Sequence, residues 1–143
     1  MQDVAALQAA LAAEQAASYG YGVVGSHLTG QAFTTAAADC LAHERARDGL
    51  TAMIAGRGGE PGPAAVAYRL PRAVSTRADA VALAVTIERE VTAAYLSLVA
   101  AADPAMRAFG ARQMQDAAVR ATRWSGQSQA FPGLPASSLR SSP

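Results

Sequence analysis

Apolar residues recur along this chain in steps of three and four, in four separate stretches. In the first, Val4, Leu7, Leu11, Glu14, Ser18, Tyr21, Gly25 and Leu28 fall on one stripe. The second runs through Phe33, Ala36, Cys40, His43, Arg47, Leu50 and Ile54. The third is Val81, Ala84, Glu88, Val91, Tyr95 and Leu98, and the fourth Met106, Phe109, Gln113, Asp116, Arg120 and Arg123. This alternation is the a/d pattern of helices packed into a bundle. Start and stop signals agree with it. Asp3 is a good N-cap, and Thr29-Gly30 interrupts the first stripe. The GRGGEPGP run from Gly56 cannot continue a helix. Thr76-x-x-Asp79 reads as a capping box, and Asp103-Pro104 as an N-cap with proline at the first helical position. Helices are therefore predicted over residues 3–28, 31–55, 76–101 and 104–124.

The connections set the topology. Residues 57–75 form a long link, with AYRLP at 67–71 expected as a short extended piece. A helix of about 24 residues is about 36 Å long, and about nineteen extended residues span up to about 60 Å. The link can therefore carry the chain from one end of a bundle to the other. The predicted fold is all-α: a four-helix bundle of two antiparallel helical hairpins, joined by a long crossover between helices 2 and 3. One domain is expected over residues 1–134, and residues 135–143 are expected to form a flexible tail. Phe131 and Leu134 would pin the segment before that tail, and Trp124 with Phe131 would seal one end of the bundle.

Polar residues interrupt the stripes at related places in both hairpins. Glu14 is followed seven residues on by Tyr21, and Glu88 seven residues on by Tyr95. Glu14 is then followed by Cys40-x-x-His43-x-x-x-Arg47, and Glu88 by Gln113-x-x-Asp116-x-x-x-Arg120, with spacings that agree within one residue. Such a repeat places a polar layer inside the bundle, with a contribution from every helix. Its predicted members are Glu14, Tyr21, Cys40, His43, Arg47, Glu88, Tyr95, Gln113, Asp116 and Arg120. No catalytic residue stands out, because there is no nucleophile–base pair and no phosphate loop. Gly20, Gly22 and Gly25 follow no strand, so they read as sites of close helix approach.

Composition narrows the class. The chain has 143 residues, of which 51% are hydrophobic and 16% charged, so a substantial core is expected. Its formal net charge of +1 argues against a nucleic-acid or membrane-surface protein. A single cysteine excludes an internal disulfide, and no stretch has the length of a transmembrane helix. The N-terminus lacks the basic region of a signal peptide, so a cytoplasmic setting is expected. All 12 basic residues are arginine. Small bundles often self-associate, and a homodimer through Val23, Val85 and Leu96 is expected.

The ALQAALAAEQAASYGYGVVG run, AHERARDGL, AYRLP, EVTAAYLSLVAA and the late FPGL resemble an actinobacterial ferritin-like family of uncharacterised function, over about residues 4–134. In di-metal members of the ferritin-like superfamily, two helices each give a Glu and the other two each give Glu-x-x-His. The resemblance matches Glu14 and Glu88 to the single glutamates, and Cys40-x-x-His43 and Gln113-x-x-Asp116 to the two motifs, with substitutions in both. It implies metal-ligand candidates at Glu14, His43, Glu88 and Asp116 for iron, manganese or zinc, and with them an oxidase or peroxide-handling activity. Two fixed arginines beside a dication are unfavourable. The preferred expectation is therefore no cofactor: three carboxylates balanced by Arg47, Arg120 and His43, in a non-catalytic binding or structural protein. A third reading is a small-molecule pocket built from the same arginines with Tyr21 and Tyr95.

Overall fold

A computed structural model describes residues 2–127. The expectations for Phe131, Leu134 and the tail lie outside these residues. Five helices follow in order: α1 (Gln2–Ser26), α2 (Gly30–Ala55), α3 (Arg77–Ala94), the short α4 (Leu96–Val99) and α5 (Pro104–Ser125). The described residues are all-α, and α4 continues the third predicted helix, so the architecture is a four-helix bundle. α1 packs on α2 through a tight turn, α3 and α4 pack on α5, and α1 packs on α3 to join the two hairpins. Leu7, Leu11, Val24, Leu50, Ile54, Leu83, Leu98 and Met106 are fully buried where the four stripes meet. Burying each such side chain contributes about 1.5–3 kcal/mol.

Capping chemistry places the helix ends. The Thr76 side chain accepts from the Asp79 N–H, and the Asp79 carboxylate accepts from the Thr76 N–H, a reciprocal box at the start of α3. Asp103 accepts from Ala105 and Met106 N–H at the start of α5, and its carboxylate also pairs with Arg57 from the loop after α2. α1 begins at Gln2, so Asp3 lies in its first turn instead of capping it. At the other end of α1, the His27 ring Nδ1 lies 3.0 Å from the Val23 carbonyl.

The third predicted helix does not run unbroken to Ala101. It is interrupted at Tyr95, where backbone bonds tighten to the i→i+3 pattern, Leu98 N–H donating to the Tyr95 carbonyl at 3.0 Å. α4 then crosses α5 at Gly110, where a Cβ would come within 2.7 Å of the Leu98 Cβ. Gly20 likewise faces Ile87, but Gly22 faces nothing within 4 Å and Gly25 meets only Phe33, at 3.9 Å. Of the three glycines in α1, only Gly20 serves close approach.

The crossover lies against α1. Gln8 donates to the Glu60 carbonyl at 2.6 Å and accepts from the Gly62 N–H at 2.9 Å, and Gln15 donates to the Gly62 carbonyl at 2.9 Å. Residues 67–71 are irregular and form no strand. Within them, the Tyr68 ring packs 5.5 Å from that of Tyr19. Val23, Val85 and Leu96, expected on an exposed apolar face, are half-buried, whereas Phe33, expected in the core, is 51% exposed. No helix is long and apolar enough to cross a membrane among the described residues.

Gly110→Ala is expected to lower stability by about 1–3 kcal/mol, because the new methyl meets both Leu98 and the backbone beside it. Gly22→Ala is expected to raise it by about 0.5–1 kcal/mol, since it fills open space and favours the helix. Paired denaturant titrations check both.

Candidate functional site: a buried carboxylate–imidazole layer

Glu14 on α1, His43 on α2 and Glu88 on α3 are all 0% exposed. Two buried carboxylates need cations or donors, and the layer supplies both. The His43 ring lies between them: Nδ1 is 2.5 Å from Glu14 Oε2 and Nε2 is 2.9 Å from Glu88 Oε1. An acceptor at each nitrogen requires an N–H on each, which only the imidazolium has. Burial opposes that charge, but the hydrogen bonds His43 donates to Glu14 and Glu88 outweigh it and raise the His43 pKa to about 9. Burial also opposes charge on Glu88, yet His43 and Arg120 together hold its carboxyl below the usual range.

Two tyrosines close the layer by crossing between hairpins. Tyr21 on α1 donates to Glu88 Oε1 at 2.6 Å, and Tyr95 at the end of α3 donates to Glu14 Oε1 at 2.7 Å. Each Glu and the Tyr seven residues after it therefore serve opposite partners. Burial first, and then the neighbouring glutamate, push both phenols well above their ordinary value, so they remain proton donors. The Tyr21 ring also stacks on His43, with centroids 5.3 Å apart. Arg120 on α5 donates from Nε to Glu88 Oε1 at 3.0 Å.

A second cluster adjoins the first. Asp39 on α2, only 5% exposed, accepts from Arg123 at 2.5 and 2.6 Å and from the Trp124 indole N–H at 2.8 Å. Tyr21 lies 3.4 Å from the same carboxylate. Three carboxylates (Glu14, Asp39, Glu88) thus face three cations (His43, Arg120, Arg123). Among the described residues, Glu88 Oε2 is the one buried side-chain oxygen or nitrogen without a hydrogen-bond partner, because the donors around Glu88 converge on Oε1.

Residues 6–136 match the profile of DUF4439, a domain of unknown function. The chain belongs to the DUF4439 family. It is also similar to the crystal structure of a conserved hypothetical protein, rv2844, from Mycobacterium tuberculosis. The two share 37% identity over 86% of this chain and 94% of that one, with a TM-score of 0.84. No curated protein matches the chain.

The DUF4439 layer brings together six of the ten predicted members: Glu14, Tyr21, His43, Glu88, Tyr95 and Arg120. The other four do not join it. Arg47 points outward and pairs with its neighbour Asp48 at 2.9 Å, and Ala46 takes the inward position. Asp116 is exposed, Gln113 is half-buried, and Ala117 is the buried residue beside them. Cys40 is half-buried, its Sγ 3.6 Å from the Ser18 carbonyl, and burial followed by Glu44 pushes the thiol up. The charge balance survives with different members: Asp39 stands in for Asp116, and Arg123 for Arg47.

A one-residue slip in the repeat accounts for these corrections. The 74-residue offset from Glu14 to Glu88 and from Tyr21 to Tyr95 also relates the buried pairs Ala10/Ala84, Val24/Leu98 and Ala36/Gly110. In that register His43 corresponds to Ala117 and Ala46 to Arg120. Pairing Arg47 with Arg120 is one residue out, which is about 100° around a helix. Asp39 was missed because a carboxylate flanking a stripe reads as solvent-facing. Its only local signal is its place one turn before His43 on the same face.

The donor set does not fit a dinuclear metal centre. Both imidazole nitrogens and both Glu14 oxygens are already engaged, and a guanidinium occupies Glu88. Among the described residues, no three His, Cys, Asp or Glu side chains are arranged to hold a metal ion.

Arg120→Ala is expected to destabilise the fold by about 3–5 kcal/mol, the cost of leaving a buried charge without its partner. Arg47→Ala is expected to stay within about 0.5 kcal/mol, as at an ordinary surface site. Chemical denaturation of both variants checks this. A pH series tests the imidazolium. The His43 contribution is fully present below its ordinary pKa of 6.5 and is lost as pH rises through about 9. That loss is on the order of 3 kcal/mol. Glu88 works in the opposite sense: its contribution is present above its ordinary 4.5 and lost as pH falls through its lower folded value. His43→Gln should flatten the alkaline decline.

Proposed function

We propose that this DUF4439 chain is a ferritin-like bundle in which a charge-compensated network stands where di-metal members hold ions. On this reading it is a non-catalytic structural or binding protein. The observation that carries the proposal is His43, whose two nitrogens each meet a carboxylate, one from each hairpin. An imidazolium has no lone pair to offer a metal, so the group a di-metal centre would use as a ligand is here the cation itself. Support for the ferritin-like part comes from the two hairpins with a long crossover and from the single glutamates at Glu14 and Glu88. Tyr21 and Tyr95 are buried and bonded to carboxylates, which favours the structural role over an internal ligand pocket.

Metal analysis of the full chain, purified without affinity tag or chelator, tests the proposal. Iron, manganese and zinc are expected well below one ion per chain. Stoichiometric metal with a weakened His43–Glu contact would overturn the proposal and favour an oxidase or peroxide-handling activity.

A further inference from the structure

The outer face of α3 carries a groove whose lining includes none of the charged residues of the buried layer. Ala78, Val81, Ala82 and Val85 lie on one side of the helix and line a space of about 570 Å³. Arg72, Arg77 and Arg89 border the same space, and Trp124 lines it from α5. The volume falls within the range of about 300–1,000 Å³ usual for small-molecule sites. Among the described residues, no carboxylate lines the groove and none lies within ion-pair distance of these three guanidiniums. Asp79, nearby on α3, is already engaged by the Ser75 and Thr76 N–H groups, each at 3.1 Å.

Three guanidiniums around one hollow, with no carboxylate partner among the described residues, form a positive field focused by its apolar wall. Their planar forks match the oxygens of a carboxylate, sulfonate or phosphate. The small apolar residues and the indole call for something different, a flat apolar body. The indole is also held in place, because its N–H is bonded to buried Asp39 at 2.8 Å. That wall is therefore pre-organised before any ligand arrives.

We propose that this groove binds a small amphipathic anion, with its acidic head at Arg72, Arg77 and Arg89 and its apolar body against α3 and Trp124. The proposal is independent of whether the buried layer holds a metal.

Trp124 is the only tryptophan, so its emission reports on this groove directly. The full-length protein is titrated with 1-anilinonaphthalene-8-sulfonate and with the uncharged N-phenyl-1-naphthylamine, following Trp124 quenching. The sulfonate is expected to quench saturably, with an affinity that falls as salt is raised, and the uncharged compound to bind about tenfold more weakly. The combined variant Arg72→Ala, Arg77→Ala, Arg89→Ala, at three exposed positions, should lose about tenfold in sulfonate affinity with an unchanged helical spectrum. Single Arg89→Gln, which keeps the chain's bulk, should show a smaller loss in the same direction. Absence of saturable quenching, equal binding of the uncharged compound, salt-independent affinity, or undiminished sulfonate binding by the folded variants would each overturn the proposal.

Discussion

A protonated imidazole held between two fully buried carboxylates joins the two hairpins of this bundle, and most of the surrounding chemistry serves to keep all three groups charged. Glu14 and Glu88 come from different hairpins, and His43, paired with Glu14 inside the first hairpin, also reaches Glu88 in the second. The tyrosines donate across the same divide. A buried ion pair rarely adds net stability over a well-packed apolar alternative, because desolvation offsets the attraction. Its clearer effect is on register. Sliding α2 by one turn would strand two carboxylates and an imidazolium in an apolar interior.

The two halves repeat in backbone and diverge in side chains. Where the first half places His43, the second has Ala117, and where the second places Arg120, the first has Ala46. Each large cationic side chain enters from one half, and an alanine at the related position in the other half spares the space. A fully symmetric layer would bring two imidazoliums and two guanidiniums to Glu14 and Glu88, with an excess of positive charge in a low-dielectric interior. Alanine abundance therefore has a local meaning here beyond helix propensity.

Asp39 carries the network outward. Through Tyr21 on one side and Arg123 and Trp124 on the other, it connects the buried layer to the surface of α5. The indole that lines the external groove is thus positioned by the same buried electrostatics that holds the hairpins together. One short polar chain sets the geometry of the interior and one wall of the exterior hollow.

Much of this was legible along the chain. Helix positions and their caps at Thr76 and Asp103 follow from local periodicity and from backbone groups only a few residues away. Glu14, Tyr21, His43, Glu88, Tyr95 and Arg120 could be read because they sit near the middle of their stripes, where small errors of phase do not matter. Cys40, Arg47, Gln113 and Asp116, counted on the stripes, lie beside the faces that α2 and α5 actually bury, and there one residue turns a side chain by about 100°. Whether Asp39 or Cys40, and Ala46 or Arg47, faces inward depends on where α5 lies, and no spacing within α2 contains that information. Arg123 and Trp124 lie more than eighty residues from Asp39 in sequence. Periodicity along each helix could therefore announce a charged layer, but the packing of α5 against α2 chose its third carboxylate and third cation, because a buried charge turns toward whichever partner the neighbouring helix brings within reach.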